Sequence, residues 1–196
     1  MKKTTCIHPR RMVNLMRNFV LAASDLEYET FEINDDDLWD YKNWESIYLK
    51  SNCKIKRTGS FQAFIGEFED DDSLIIIGYD FKKLPYLNDY FTIDFRKRCK
   101  IAKGFTGITL ALLHELGHFE TNSDCEELFP DWDREKANEE VSKKYKPTND
   151  LANANKEYFT WPDERMATEW AMDWLSVPEN RKIAKAFEKA FLACFE

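Results

Sequence analysis

The chain has 196 residues, a length that suits one domain with a real core and is too short for two large ones. Aromatic residues make up 15% and charged residues 33%, a globular balance that excludes global disorder. A net charge of −8 excludes a broad nucleic-acid-binding face, which would have to be basic to meet a phosphate backbone.

From Pro9 to Ala23 the apolar residues Met12, Val13, Leu15, Met16, Phe19 and Val20 recur at helical spacing, and Pro9 suits a first helical turn, so a helix is predicted over 9–23. The acidic stretch from Ser24 to Asp37 reads as a solvated loop that caps a short aromatic-rich helix from about Leu38 to Tyr48. From Cys53 the pattern turns to strands. Phe61, Ala63 and Ile65 alternate with Gln62, Phe64 and Gly66, Asp70-Asp71-Asp72-Ser73 makes a turn, and Leu74-Ile75-Ile76-Ile77 follows as an apolar run, which together predict a β-hairpin. Such a hairpin is either a sheet edge for a substrate strand or simply a soluble tip. Between Asp80 and Lys103 a loop with short ordered pieces is expected.

The most informative stretch is His114-Glu115-Leu116-Gly117-His118. On an α-helix, residues four apart differ by roughly 40° and about 6 Å, so two histidines so spaced can grip one metal ion. Glu115 flanks that ion, where the general base of a metal-assisted hydrolysis stands. The apolar run Ile108-Thr109-Leu110-Ala111-Leu112-Leu113 leads into the motif, so the helix is predicted to be buried. Buried titratable groups need compensation, and an ion supplies it. Gly104, Thr106 and Gly107 mark the start of this helix, and Glu120-Thr121-Asn122-Ser123-Asp124 is expected to end it. Two core histidines without metal are the plain alternative.

A polar helix is then predicted from about Asp131 to Tyr145, halted by Pro147, and serves as a lid, an inserted arm or a solvated surface helix. Thr160-Trp161-Pro162-Asp163 has the form of a capping box opening a helix through Trp174. Ser176-Val177-Pro178-Glu179 repeats the device for a last helix, striped with Ile183, Phe187, Ala190, Phe191 and Cys194.

Catalytic zinc takes three protein ligands. The remaining histidine, His8, is isolated, so the third ligand is expected to be a carboxylate. Asp124 is a positional candidate, although the chain has Thr121 where a metzincin turn takes glycine. Glu164 is the other, on a helix whose Ala167 and Ala171 make a flat face beside it. Glu126, Glu127, Glu169 and Asp173 complete the set. Tyr79, Tyr145 and Tyr158 are candidate donors to a developing oxyanion, each also readable as a packing aromatic.

The His-Glu-Leu-Gly-His motif, the strand-rich segment before it and the later Glu164-x-x-Ala167-x-x-Trp170-Ala171, running on to Leu175 and Pro178, resemble the ImmA/IrrE family of zinc metallopeptidases. In that family a HExxH helix follows a small sheet, and a later helix reads Glu-x-x-Ala-Asn-x-Phe-Ala. Here Thr168 takes the Asn position, the lead-in Gly104-Phe105-Thr106 matches loosely, and the interval from His118 to Glu164 is longer. The resemblance covers roughly residues 55 to 180. It implies an α+β zincin-like fold, with a small antiparallel sheet packed on the HExxH helix and a mostly helical C-terminal part. It further implies Zn2+ held by His114, His118 and Glu164, with Glu115 as general base. The implied substrate is a protein or peptide, a transcriptional repressor in the family's bacterial, phage or mobile-element setting.

The domain reading is a single metallopeptidase domain over 1–196. It comprises the helix 9–23, the sheet and active-site helix at about 53–121, a polar insertion at about 122–159 and C-terminal helices from about 160 to 196. The cysteines Cys6, Cys53, Cys99, Cys125 and Cys194 are odd in number and never spaced as Cys-x-x-Cys, so a reducing, cytoplasmic setting is expected. His8, Pro9, Arg10, Arg11 and Arg17 interrupt any export signal, and no run reaches the roughly 18 apolar residues of a membrane span, so neither export nor membrane association is expected. Two rival functions remain at this level: a catalytically silent zincin-fold regulator that binds a protein partner in its cleft, against which the intact Glu115 speaks, and a chance HExxH in a structural protein.

Overall fold

A computed structural model describes the backbone of residues 9–23, 32–33, 47–50, 53–56, 62–67, 73–78 and 90–195. Side chains are described for most of 92–195 and for part of the first helix. In chain order the helices are α1 (Pro9–Ala23), α2 (Tyr90–Arg98), α3 (Gly107–Leu128), α4 (Arg134–Tyr145), α5 (Leu151–Tyr158), α6 (Pro162–Ser176) and α7 (Pro178–Leu192), with 3-10 turns at Ile101–Gly104 and Lys146–Thr148.

The middle of α3 forms the axis of the core. Its residues from Gly107 to Gly117 are buried without interruption, which no amphipathic surface helix could be, so neighbours must cover it on every side. Met16, Phe19 and Val20 of α1, Phe95 of α2, Ala171 and Leu175 of α6, and Ala184, Phe187 and Phe191 of α7 join Ile108, Leu110, Leu112, Leu113 and Leu116 in one hydrophobic cluster. Phe19 stacks on Phe187 with ring centroids 4.5 Å apart and meets Trp174 edge-on at 6.0 Å. Each such large apolar side chain contributes about 1.5–3 kcal/mol by leaving water.

Five short extended segments are described by backbone alone: β1 (Glu32–Ile33), β2 (Ile47–Lys50), β3 (Cys53–Lys56), β4 (Gln62–Glu67) and β5 (Ser73–Gly78). They pair in the order β1-β2-β3-β5-β4, with β3 parallel to β5 and the other pairs antiparallel. The part of the chain whose side chains are described is 84% helical and contains no strand. The expected α+β fold, with a small antiparallel sheet packed on the motif helix, is therefore corrected to a helical core. Among the residues whose side chains are described, α1, α2, α6 and α7 supply apolar groups packed with α3.

Several local expectations change as well. α3 does not stop after Phe119 but runs to Leu128. Its polar residues find partners inside the helix, as Thr121 Oγ1 donates to the Gly117 carbonyl at 2.7 Å and Asn122 donates to Glu126 at 3.1 Å. The two expected capping boxes do not form. Thr160 and Ser176 instead donate their hydroxyls backward to the carbonyls of Glu157 and Asp173, and the N-caps are Trp161 and Val177, with proline in the first turn of each helix. The cap of α3 comes from elsewhere in the chain. Thr106 makes no side-chain cap bond, and the buried Glu188 of α7 accepts from the Thr106 N–H, the Thr106 hydroxyl and the Thr109 hydroxyl.

The segment expected to be a loop from Asp80 contains α2, with Arg96, Lys97 and Arg98 in its last turn, where cations meet the negative end of the helix dipole. The expected helix from Leu38 lies outside the described residues except at Ile47 and Tyr48, which belong to β2. The acidic turn Asp70-Asp71-Asp72 and the residues Tyr79 and His8 also lie outside them.

Candidate metal centre

α3 and α6 lie against each other at Gly117 and Ala167. A Cβ on Gly117 would stand 2.8 Å from the Ala167 Cα and closer still to its carbonyl, so only glycine permits this approach. The close crossing brings the first turn of α6, with Glu164, over the histidines of α3.

The result is a triangle of ligand groups, in which each Glu164 oxygen faces a different histidine. His114 Nε2 lies 3.0 Å from Glu164 Oε2 and 3.2 Å from His118 Nε2, and His118 Nε2 lies 3.5 Å from Glu164 Oε1. Nitrogen and oxygen ligands about 2.1 Å from a tetrahedral zinc ion stand about 3.4 Å from one another, close to the 3.0 Å and 3.2 Å separations around His114 Nε2. The three side chains are also the one group of metal-holding type found among the described residues. His114 and Glu164 are buried, with 4% and 1% exposure, and His118 is partly open. This chemistry and spacing suit a divalent cation and do not by themselves select zinc.

Electrostatics at Glu164 and His114 suit a cation site. Burial favours the neutral acid of Glu164, yet hydrogen bonds and charge from His114 and His118 outweigh it and hold the carboxyl well below its ordinary value. Burial lowers His114, which favours the neutral imidazole that a metal needs. For His118, burial is outweighed by the hydrogen bond to Glu164 and by the charges of Glu164 and Glu115, so it is raised. That direction favours the protonated ring of His118, and a cation would have to displace this proton. Thr168 Oγ1 stands 3.2 Å from His114 Nδ1. With the proton of Nδ1 donated to that hydroxyl, the lone pair of Nε2 faces the triangle.

Around Glu164 sits a second set of groups. Arg134 Nη2 donates to Glu164 Oε1 at 2.6 Å and to the Tyr158 hydroxyl at 2.5 Å, while Nη1 donates to Asp163. The guanidinium lies 5.4 Å from the Tyr158 ring centre and 5.8 Å from that of Trp161. Tyr158 is raised above the ordinary phenol value, first by burial and then by the charge of Glu164, so it stays a proton-bearing donor.

Of the residues singled out by sequence, His114, His118 and Glu164 come together and Glu115, 4% exposed, is buried beside them, close enough for its charge to act on His118. Asp124, Glu126, Glu127, Glu169 and Asp173 are all exposed on their helices and take no part. Tyr145 donates to Glu157 instead of entering the site, so of the described tyrosine candidates Tyr158 is the one beside the cluster, through Arg134 and Glu164. Arg134 and Asp163 gave no motif signal. The adjacent pair Asp163-Glu164 at the start of a helix was the one local hint that a cation approaches there.

No family model, no curated protein and no solved structure matches this chain. Among the described residues no helix is long and apolar enough to cross a membrane.

Proposed function

We propose that this chain is a zinc-dependent metallopeptidase that hydrolyses a peptide bond in a protein substrate. One observation carries the reading: two histidines on one face of α3 and a buried glutamate from α6 converge within 4.8 Å, with Glu115 set between the histidines in sequence. Two imidazoles and one carboxylate brought together in this way are the donor set of a hydrolytic metal site.

When bound, the ion supplies Lewis acidity and lowers the pKa of water toward about 7. The protein's own groups do the rest. His114, His118 and Glu164 hold the ion, and Thr168 keeps the His114 ring in the tautomer that can do so. Glu115 takes the proton of the attacking water and returns it to the leaving amine, the double duty of a positioned carboxylate. The Tyr158 hydroxyl, held by Arg134, is the donor available to a developing oxyanion.

The resemblance to the ImmA/IrrE pattern narrows the substrate to a regulatory protein, such as a transcriptional repressor, met in the cytoplasm. Elemental analysis of the purified chain and the variant Glu115→Gln test the proposal together. About one equivalent of zinc is expected in both proteins, with cleavage of a quenched-fluorescence peptide library reduced at least ~100-fold in the variant. Less than about a tenth of an equivalent in the unmodified chain defeats the metal reading. Undiminished cleavage by the variant defeats the role of Glu115.

A further inference from the structure

Arg134 belongs to no motif and lies on α4, a helix with no buried residue of its own. Its side chain is 41% exposed, yet its guanidinium is fixed from several directions at once. Glu164 Oε1, the Tyr158 hydroxyl and Asp163 accept from it, and the rings of Tyr158 and Trp161 lie against it. A planar fork so constrained holds a carboxylate oxygen in one place, which a flexible ammonium does not.

The two oxygens of Glu164 are thereby made unequal. Oε2 lies 3.0 Å from His114 Nε2, whereas Oε1, 3.5 Å from His118 Nε2, accepts from Arg134 at 2.6 Å. A carboxylate with both oxygens free can close both on one ion. With two imidazoles that would fill all four positions of a tetrahedral ion, one of which a hydrolytic zinc site would keep for water.

We propose that Arg134 is a positioning residue for the metal centre: it holds Oε1 of Glu164 so that the carboxylate offers Oε2 alone to the ion. This rests on the reading of His114, His118 and Glu164 as a metal site. It also gives α4 a part in that site, through a residue 30 positions before the glutamate it holds.

The test uses the full chain, Co2+ as a spectroscopic stand-in for zinc, and the variants Arg134→Gln and Arg134→Lys. Affinity is read by competition with a chromophoric chelator, coordination by the visible bands of Co2+, and folding by circular dichroism. The unmodified chain is expected to bind one equivalent with the intense bands of a low-coordinate site. Arg134→Gln is expected to bind 10- to 100-fold more weakly, the usual cost of losing a partner to a metal ligand. Its bands should weaken as the second carboxylate oxygen joins the ion. Arg134→Lys, which keeps the charge but not the fork, should recover part of the affinity while its bands remain weakened, and it decides the matter alone if Arg134→Gln does not fold. Affinity within twofold of the unmodified chain, or a loss of affinity with unchanged bands, overturns the role given to Arg134. Absence of Co2+ and zinc binding by the unmodified chain is a different result, which overturns the metal site itself.

Discussion

Gly117 and Ala167 meet backbone to backbone, and that contact sets the distance between the helix that carries both histidines and the helix that carries Glu164. A side chain of any size at 117 pushes against main chain, which cannot move aside as a flexible side chain could. Gly117→Ala should therefore destabilise the fold by about 1–3 kcal/mol, the range for overpacking a close contact, even though alanine is the better helix former. Urea unfolding measures this. Zinc affinity should fall in the same variant, because Glu164 is carried away from the histidines; a stabilised protein with unaltered affinity would contradict the account.

The choice between carboxylates can be made directly. Glu164→Gln should lose zinc at a chelator concentration that leaves the unmodified chain loaded, and Asp124→Asn should behave as the unmodified chain, since Asp124 is exposed on α3. Chelator should also lower the melting temperature of the unmodified chain and of Asp124→Asn but not that of Glu164→Gln, because an ion that binds only the folded state adds about 2.7 kcal/mol at one hundred times its Kd. Equal zinc content in the two variants would exclude Glu164 as a ligand.

Thr168 acts through His114, at 3.2 Å from Nδ1. Thr168→Val keeps the shape and removes the hydroxyl, so zinc affinity should drop about 10-fold while circular dichroism is unchanged. Thr168→Ser should restore most of the loss. A valine variant with full affinity would mean that the ring is held by packing alone.

Glu188 joins the C-terminal helix to the start of the motif helix by accepting from Thr106 and Thr109. Its removal in Glu188→Ala leaves those donors in a region largely closed to water and takes a negative charge from the positive end of α3, so a loss of about 2 kcal/mol is expected in urea unfolding. A loss below about 0.5 kcal/mol would show that water replaces the carboxylate.

What the chain declares locally and what it does not follow a physical line. The burial of Ile108–Leu113 was legible because six consecutive residues without a charged side chain leave no face for water. The extent of α3 was misread, because Thr121, Asn122, Ser123 and Asp124 look like a terminus until the bonds of Thr121 to Gly117 and of Asn122 to Glu126 are seen. Thr160 and Ser176 were misread for a similar reason, as each hydroxyl had two carbonyl or amide partners within reach and sequence does not rank them. The α+β fold with an antiparallel sheet on the motif helix was carried over from the family resemblance, and the part of the chain whose side chains are described is helical.

The site divides in the same way. The sequence by itself determined that His114 and His118 share a helix face and that Glu115 stands beside them, because a step of four residues is nearly a full turn whatever surrounds the helix. It also narrowed the third partner to a carboxylate, since the remaining histidine lies far from the motif in sequence. Only the tertiary structure brings Glu164, 50 positions from His114, to both histidines and Arg134 to its Oε1 oxygen. Those pairings depend on the approach of α6 at Gly117 and on the burial that makes an unpartnered charge costly, and both are properties of packed helices.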